Sequence, residues 1–162
     1  MDGIDASIIK SDGEQFLEII DDIYLEYDDQ LKSELKKVID SCSSKEVFKK
    51  LSNSINDLEN KITLKHSQAC KLIIEKNRNI KVDLIGFHGQ TVLHKPQEKY
   101  SIQIGDSQLL SRLTNTTVVS NFRLLSYFRY MLSIISRNSS PSDLIIDASI
   151  PSIDVPLIKP KL

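Results

Sequence analysis

Four consecutive polar or turn-forming residues interrupt an apolar stretch near the middle of the chain, in the segment DLIGFHGQTVLHKP at residues 83–96. They are His88, Gly89, Gln90 and Thr91, and apolar residues resume immediately after them. A simple turn would account for the glycine. It would also leave an imidazole, an amide and a hydroxyl together at one point. The cluster therefore indicates a place where a polar ligand is held.

The spacing of the other reactive residues disfavours metal and disulfide chemistry. His88 and His94 lie six positions apart, which is a poor spacing for a zinc site. Cys42 and Cys70 stand outside any CxxC or Cys/His ligand pattern. We interpret them as reduced interior thiols of a cytosolic protein.

The composition is typical of one globular domain, since 162 residues suffice for a real core. The 21 basic and 22 acidic residues nearly cancel and form no Lys/Arg block, which disfavours a nucleic-acid binder. The opening MDGIDASIIK lacks the features of a secretion signal. The most apolar stretch, LLSYFRYMLSII, is short and contains Arg129, so it does not suit a membrane span. We expect a cytoplasmic protein without nucleic-acid or membrane partners.

Several strands are predicted to position the polar cluster. The segment IDASIIKSDGEQFLEII contains two strand-like runs around Asp12-Gly13, a dipeptide that favours a tight hairpin turn. IKVDLIGF is apolar enough to be a strand buried on both faces. YSIQI is a short return strand, and Asp106 or Ser107 caps a helix over SQLLSRL. TTVVSNF is a further strand that ends at Arg123.

Two helical regions precede the buried strand. The first begins at Asp28 and Asp29, which suit a helix N-terminus. Its apolar residues recur at helical spacing: Leu31, Leu35, Val38 and Ile39. The second runs from Ser44 to about Glu75 and is either one long helix or a helix with a break. Its apolar pattern drifts away from a heptad, which favours a helix packed on a sheet over a coiled coil. The order of elements predicts an α/β fold with a mixed sheet.

With these elements placed, residues 83–123 resemble the anhydro-N-acetylmuramic acid kinases, bacterial enzymes of peptidoglycan recycling. The matching strings are IGFHGQTVLHKP, SIQIGDSQLLSRLTN and VVSNFR, in the family's order and roughly its spacing. The N-terminal MDGIDASI resembles the end of the family's Ser-Gly-Thr-Ser-x-Asp-Gly phosphate loop and the strand after it. Glu59 and His66 fall in the helix where the family also has a Glu and often a His. The resemblance covers about residues 1–123 and implies an incomplete N-terminal lobe of the actin-like ATPase, sugar-kinase fold.

The resemblance also implies an ATP-dependent phosphotransferase that uses Mg²⁺. In the family reaction, water opens the 1,6-anhydro bridge of 1,6-anhydro-N-acetylmuramic acid while the ATP γ-phosphate goes to O6. The product is N-acetylmuramic acid 6-phosphate. Such chemistry requires neutralised phosphates, an aligned sugar and a base for the water. Family members are often homodimers.

The family's functional positions can be matched residue by residue. Asp2 and Gly3 match the Asp-Gly of the phosphate loop, which implies nucleotide binding, with Asp2 holding Mg²⁺ through water. From the residues alone, a frayed terminus explains them equally well. The resemblance assigns four residues to the amino sugar: His88, Gln90, Thr91 and Arg123. Among them Arg123 is placed to hold the lactyl carboxylate. Without the resemblance, His88 would be a turn residue and Arg123 a surface charge.

The chain departs from the family after Arg123. The family's Gly-Gly-Gln-Gly-Ala-Pro segment and its Asp-Thr-Gly-Pro-Gly-Asn loop, whose Asp is the catalytic base, do not occur in residues 124–162. Those residues contain no Gly and four of the chain's five Pro. We expect residues 124–135 to form one apolar helix and the tail to be divergent, with low order from Ser136 onward. We interpret the chain as a kinase fragment that lacks the catalytic base.

Three functions remain open on the sequence. The chain is the N-terminal part of an amino-sugar kinase that works only when another polypeptide supplies the rest. Alternatively, it is a catalytically inactive remnant that binds an amino sugar weakly. The third possibility is an interaction protein whose long helix and apolar tail dock on a partner.

Overall fold

The strands form a five-stranded mixed sheet and a separate two-stranded sheet. The computed structural model describes residues 2–12, 16–98, 100–120 and 142–147. Its strands are β1 (Gly3–Ser11), β2 (Leu17–Glu26), β3 (Val82–Phe87), β4 (Gln90–Lys95), β5 (Tyr100–Ile104), β6 (Thr117–Ser120) and β7 (Ser142–Asp147). Its α-helices are α1 (Asp29–Ser41), α2 (Lys45–Lys50), α3 (Ser52–Lys76) and α4 (Ser107–Thr114), and a 3₁₀ turn spans Pro96–Glu98.

The larger sheet combines antiparallel and parallel pairing in the order β2-β1-β7-β3-β6. β1 runs antiparallel to both of its neighbours, β2 and β7. By contrast, β7, β3 and β6 run parallel to one another. The predicted α/β pattern with a mixed sheet is confirmed.

The N-terminal hairpin is also confirmed, because β1 pairs with β2 along its whole length. Its predicted turn at Asp12-Gly13 falls partly on residues 13–15, which lie outside the described residues. At the base of the turn, the Asp12 carboxylate accepts from the Phe16 N–H at 2.9 Å, and Ser11 Oγ donates to the Phe16 carbonyl at 2.8 Å. Along most of β1, buried apolar residues alternate with more exposed residues, whereas β2 is the exposed edge strand of the sheet.

The helices begin and end where local chemistry predicts. The Asp28 carboxylate accepts from the Leu31 N–H at 2.9 Å and caps α1. The predicted break in the second helical region lies at Leu51, between α2 and α3. Asp106 caps α4 by accepting from two backbone N–H groups of its first turn. The long helix α3 packs against β1 and β2, as expected.

The buried apolar residues form two clusters. One lies between α1, α3, β1 and the β4–β5 pair: Ile4, Ala6, Tyr27, Leu31, Leu35, Val38, Ile55, Leu58, Ile62, Ala69, Val92 and Ile104. The other joins β1 and β3 to α3 and α4: Ile8, Cys70, Ile73, Ile85, Phe87 and Leu110. Cys42 and Cys70 are buried, as predicted. Burial raises the pKa of the Cys42 thiol.

Two strands were not predicted. β4 pairs with the predicted strand β5 as an antiparallel hairpin outside the main sheet. β7 lies in the tail, where low order was expected from Ser136 onward, yet it pairs on both of its sides within the main sheet. The rest of the predicted tail, including the apolar helix over 124–135, lies outside the described residues.

Among the described helices, none combines the length and the apolar character that a bilayer span requires.

Candidate functional site

The polar cluster sits where β3 leaves the sheet. Leu84, Ile85 and Phe87 of β3 are buried, and the chain turns through His88 and Gly89 into β4. Gly89 adopts a φ of +70°, and a Cβ there would overlap the carbonyl oxygen of Ile104. Two factors therefore exclude a side chain at residue 89: the backbone conformation and the close approach of β5.

Gln103, which was not among the predicted site residues, contacts two of them. The Gln103 amide donates through Nε2 to His88 Nδ1 and to Thr91 Oγ1, each at 3.3 Å. Thr91 and Gln103 are direct partners in the β4–β5 ladder. Because an amide nitrogen only donates, His88 Nδ1 accepts here, and a neutral His88 keeps its proton on Nε2. The signal that could have revealed Gln103 is its place as the one amide side chain in the strand YSIQI.

The Gln90 side chain contacts Tyr27 and the backbone of the neighbouring Thr91. Successive side chains of a strand point to opposite faces, and the Tyr27 hydroxyl donates to Gln90 Oε1 at 3.4 Å. Gln90 Nε2 also donates to the carbonyl of Thr91 at 3.4 Å. Directly after β3, His88 and Gly89 form the turn, whereas Gln90 and Thr91 open β4.

An open cleft adjoins the trio of His88, Thr91 and Gln103. Its volume is about 370 Å³, and its walls come from α2, α3 and β5: Phe48, Lys49, Ile55, Asn56, Glu59 and Gln103. This volume lies within the range of small-molecule sites. The walls offer an amide, an ammonium, a carboxylate and an aromatic ring, which together suit a polar ligand with one apolar face.

Helix α3 holds the far side of the site in place. The Glu59 carboxylate accepts from the Gly105 N–H at 2.9 Å, and Thr63 Oγ1 accepts from the Asp106 N–H at 2.9 Å. Thr63 is fully buried. One turn further along, the His66 ring meets the Phe87 ring edge-on, with centroids 5.0 Å apart. Side chains of α3 therefore fix both the end of β3 and the loop after β5.

The N-terminal residues lie at the same end of the sheet. Ile146 of β7 is the register partner of Ser7 in β1 and of Gly86 in β3. β1 and β3 run in opposite directions on the two sides of β7. The start of β1 and the end of β3 thus share one edge. Tyr27 links the two regions, because its N–H donates to the Asp2 carbonyl at 2.8 Å while its hydroxyl contacts Gln90. Sequence reasoning missed this buried tyrosine.

Of the other predicted site residues, Gly3 lies within the described residues and Arg123 does not. A Cβ on Gly3 would overlap the carbonyl of Leu25 and the ring of Tyr24, so hairpin packing alone accounts for this glycine. Arg123 lies outside the described residues. The strand before it, β6, ends at Ser120 opposite Phe87, at the same edge of the sheet. Across the described ranges, His, Cys, Asp and Glu side chains form no group of three or more suited to a metal ion.

Comparison with known proteins gives a consistent result. A family model described as anhydro-N-acetylmuramic acid kinase matches residues 1–126. The anhydro-N-acetylmuramic acid kinase of Pelagibacter ubique (strain HTCC1062) is 52% identical over 123 residues, which are 76% of this chain and 32% of the relative.

Further relatives bear the same name. Those of Rhizobium etli and Brucella canis are 35% identical over 125 residues and 36% identical over 126 residues. Each match covers 76% of this chain and 34% of the relative. The chain therefore spans about a third of the length of these relatives.

Proposed function

The chain belongs to the anhydro-N-acetylmuramic acid kinase family, and from this membership we propose that it forms part of the N-terminal lobe of an actin-like sugar kinase and contributes the amino-sugar side of the active site. The mixed sheet with its polar cluster beyond β3 supports the proposal, since α/β folds place ligands at the carboxyl ends of their strands. Relatives of this family carry the name of a kinase, that is, of an enzyme.

The observation that supports sugar binding most directly is the Gln103 amide between His88 and Thr91, at the edge of the cleft. An amide and a hydroxyl provide both donors and acceptors, which sugar hydroxyls and an acetamide require. His88 positions the Gln103 amide, and Gln90 contacts the substrate after leaving Tyr27. Arg123 holds the lactyl carboxylate with its planar fork of donors.

For the nucleotide, Asp2 and Gly3 are the proposed contacts. A single exposed carboxylate such as that of Asp2 fits the way Mg²⁺ is held, through one or two carboxylates together with phosphate oxygens and water. When bound, Mg²⁺ neutralises the phosphate charge that repels a nucleophile. The described residues contribute only this one side of the ATP site.

In the proposed reaction, the γ-phosphate of ATP is transferred to O6 of 1,6-anhydro-N-acetylmuramic acid while water opens the anhydro bridge. The base that activates the water lies in polypeptide corresponding to the other two thirds of the relatives. The chain alone is therefore proposed to bind the amino sugar without turning it over. In the cell the reaction would belong to peptidoglycan recycling in the cytoplasm.

A binding experiment tests this proposal without requiring activity. The ¹⁵N-labelled chain is titrated with 1,6-anhydro-N-acetylmuramic acid, and amide shifts are expected at Thr91 and Gln103. Thr91→Val removes the hydroxyl and should weaken binding about fivefold, the equivalent of one hydrogen bond of about 1 kcal/mol. Thr117→Val is the matched control, because Thr117 is exposed at the opposite end of β6.

The lactyl contact is tested by ligand chemistry. Arg123→Ala should lower the affinity for the muramic sugar to the level of 1,6-anhydro-N-acetylglucosamine, which has no lactyl carboxylate, and should leave the affinity for that second sugar unchanged. Equal losses for both sugars would contradict the role of Arg123. Shifts confined to residues away from the cleft would contradict the sugar site itself.

A further inference from the structure

The central strand of the main sheet comes from outside the part of the chain that matches the family. The family match ends at residue 126, whereas β7 begins at Ser142. Four of the five strands, β2, β1, β3 and β6, lie within the matched residues. The matched part therefore leaves a gap between β1 and β3, which we name the strand slot, and residues 142–147 fill it.

Both walls of the strand slot are buried. Ile8 of β1 and Ile85 of β3 face β7 in the ladders and are at most 1% exposed. Ile8 and Ile85 also belong to one apolar cluster, which spans the two sides of the slot. With β7 in place, the backbone N–H and carbonyl groups that β1 and β3 direct into the slot pair with it, and without a strand there they would lose these partners.

β7 pairs with both of its neighbours through backbone ladders. It runs antiparallel to β1 over six residue pairs and parallel to β3 over four. Strand addition of this kind draws its affinity from backbone hydrogen bonds, which any extended apolar segment can make. The sequence SDLIID has such an apolar centre between two aspartates.

The connection to β7 is long. β6 ends at Ser120 and β7 begins at Ser142, so 21 residues separate two strands that both run parallel to β3. A parallel crossover needs about a dozen residues or more. The 21 residues are therefore enough to bring the chain from the end of β6 to the start of β7.

We propose that the strand slot is an acceptor site for an extended segment, and that Ser142–Asp147 occupies it as a donor strand which the same segment can replace when supplied as a separate molecule. The chain thus uses residues outside the family match to complete the sheet that the matched residues form. This inference is independent of the proposed sugar binding.

The test compares two substitutions in the full chain. Ile145 pairs with Ile8 on one side and Ile85 on the other. Ile145→Pro removes a backbone donor from a strand that is paired on both sides, whereas Ile145→Val keeps the donor and the β-branched shape. In Ile145→Pro, the amide hydrogen-exchange rates of β1 and β3 should be at least about tenfold higher than in the unmodified chain. Ile145→Val should exchange like the unmodified chain.

Rescue distinguishes an acceptor site from an ordinary central strand. A synthetic peptide with the sequence of residues 140–149, SPSDLIIDAS, is added to the Ile145→Pro chain, and slow exchange in β1 and β3 should return. The same peptide with proline in place of its first isoleucine should have no effect. Unchanged exchange in Ile145→Pro would overturn the assignment of β7 to the slot, and failure of the peptide to restore protection would overturn the acceptor site.

Discussion

The Glu59 carboxylate accepts a hydrogen bond from the backbone N–H of Gly105 at 2.9 Å and thereby ties α3 to the loop between β5 and α4. Gly105 has a φ of +143°, and a Cβ there would overlap the Phe87 ring. The loop that follows Gln103 is thus fixed on one side by a carboxylate and on the other by the last residue of β3. Its position controls where the Gln103 amide lies relative to His88 and Thr91.

Removing this carboxylate should loosen the site and the fold together. Glu59→Ala leaves the Gly105 N–H without its acceptor, so the free energy of unfolding should fall by about 1–3 kcal/mol. Glu59→Gln keeps an oxygen in place and should lose less than half of that. Urea unfolding followed by circular dichroism measures both variants. Equal losses in the two variants would mean that the negative charge, rather than the hydrogen bond, is what matters at this position.

The turn between β3 and β4 should not accept a side chain. Gly89→Ala places a Cβ at a φ of +70° against the Ile104 carbonyl, and the left-handed conformation alone costs about 1–2 kcal/mol. The loss of stability should therefore reach at least that value in urea unfolding.

Asn115→Gly provides the contrast to Gly89→Ala. Asn115 ends α4 in the left-handed region at a φ of 52°. Glycine adopts this conformation without steric cost, so the free energy of unfolding should change by less than about 0.5 kcal/mol. A tolerated alanine at residue 89 would show that β4 and β5 are farther apart than in this structure.

The cap of α1 should make stability depend on pH in acid. The Leu31 N–H and then Lys65 hold the pKa of the Asp28 carboxyl below its usual range. Because the pKa is lower in the folded chain, this stabilisation is fully present above the unfolded pKa of about 4 and is lost as the pH falls through the folded value. The unfolding midpoint of Asp28→Asn should lie below that of the unmodified chain at pH 7 and approach it below about pH 4.

Two comparisons check the origin of this effect. Asp28→Ala also loses the side-chain acceptor, so it should be less stable than Asp28→Asn at every pH. Asp29→Asn should behave like the unmodified chain, because the Asp29 side chain is fully exposed. A constant gap between Asp28→Asn and the unmodified chain from pH 7 to pH 3 would refute the assigned pKa shift.

Local rules predict the parts of this fold that depend on neighbouring residues. The caps at Asp28 and Asp106 follow from hydrogen-bonding side chains, and the long helical region follows from the spacing of apolar residues. The hairpin of β1 and β2 follows from two alternating runs joined by a turn sequence. Each of these features needs only a short window of sequence.

Long-range pairing explains what sequence reasoning missed. Gln103 became part of the site only because β5 folds back on β4 and places it opposite Thr91. Tyr27 contacts Gln90 across 63 positions of sequence. The insertion of β7 between β1 and β3 depends on which open strand edges the rest of the chain leaves. Such pairings compete over the whole chain, and no local propensity selects among them.

The last prediction concerns turnover by the 162-residue chain. Supplied with Mg-ATP and 1,6-anhydro-N-acetylmuramic acid, the purified chain should make no sugar phosphate above a sample without protein. The loss of a general base typically slows a reaction by 10²- to 10⁴-fold. The chain matches only about a third of its relatives, and the proposed function assigns the other side of the ATP site to the remaining two thirds. Positioning contributes about 7–11 kcal/mol to such reactions. The two losses act on one transition state and leave no measurable rate.

Two further reactions identify which part is needed. The anhydro-N-acetylmuramic acid kinase of Pelagibacter ubique, the 52% identical relative, is the positive control under the same conditions. The portion of that kinase beyond the matched third is then added to the 162-residue chain as a separate polypeptide. Product formed only by the mixture would show that the chain is a working lobe awaiting its complement, because neither part then has the whole site. Product formed by the chain alone would place the base within residues 1–162 and refute its description as the substrate-binding part of a kinase.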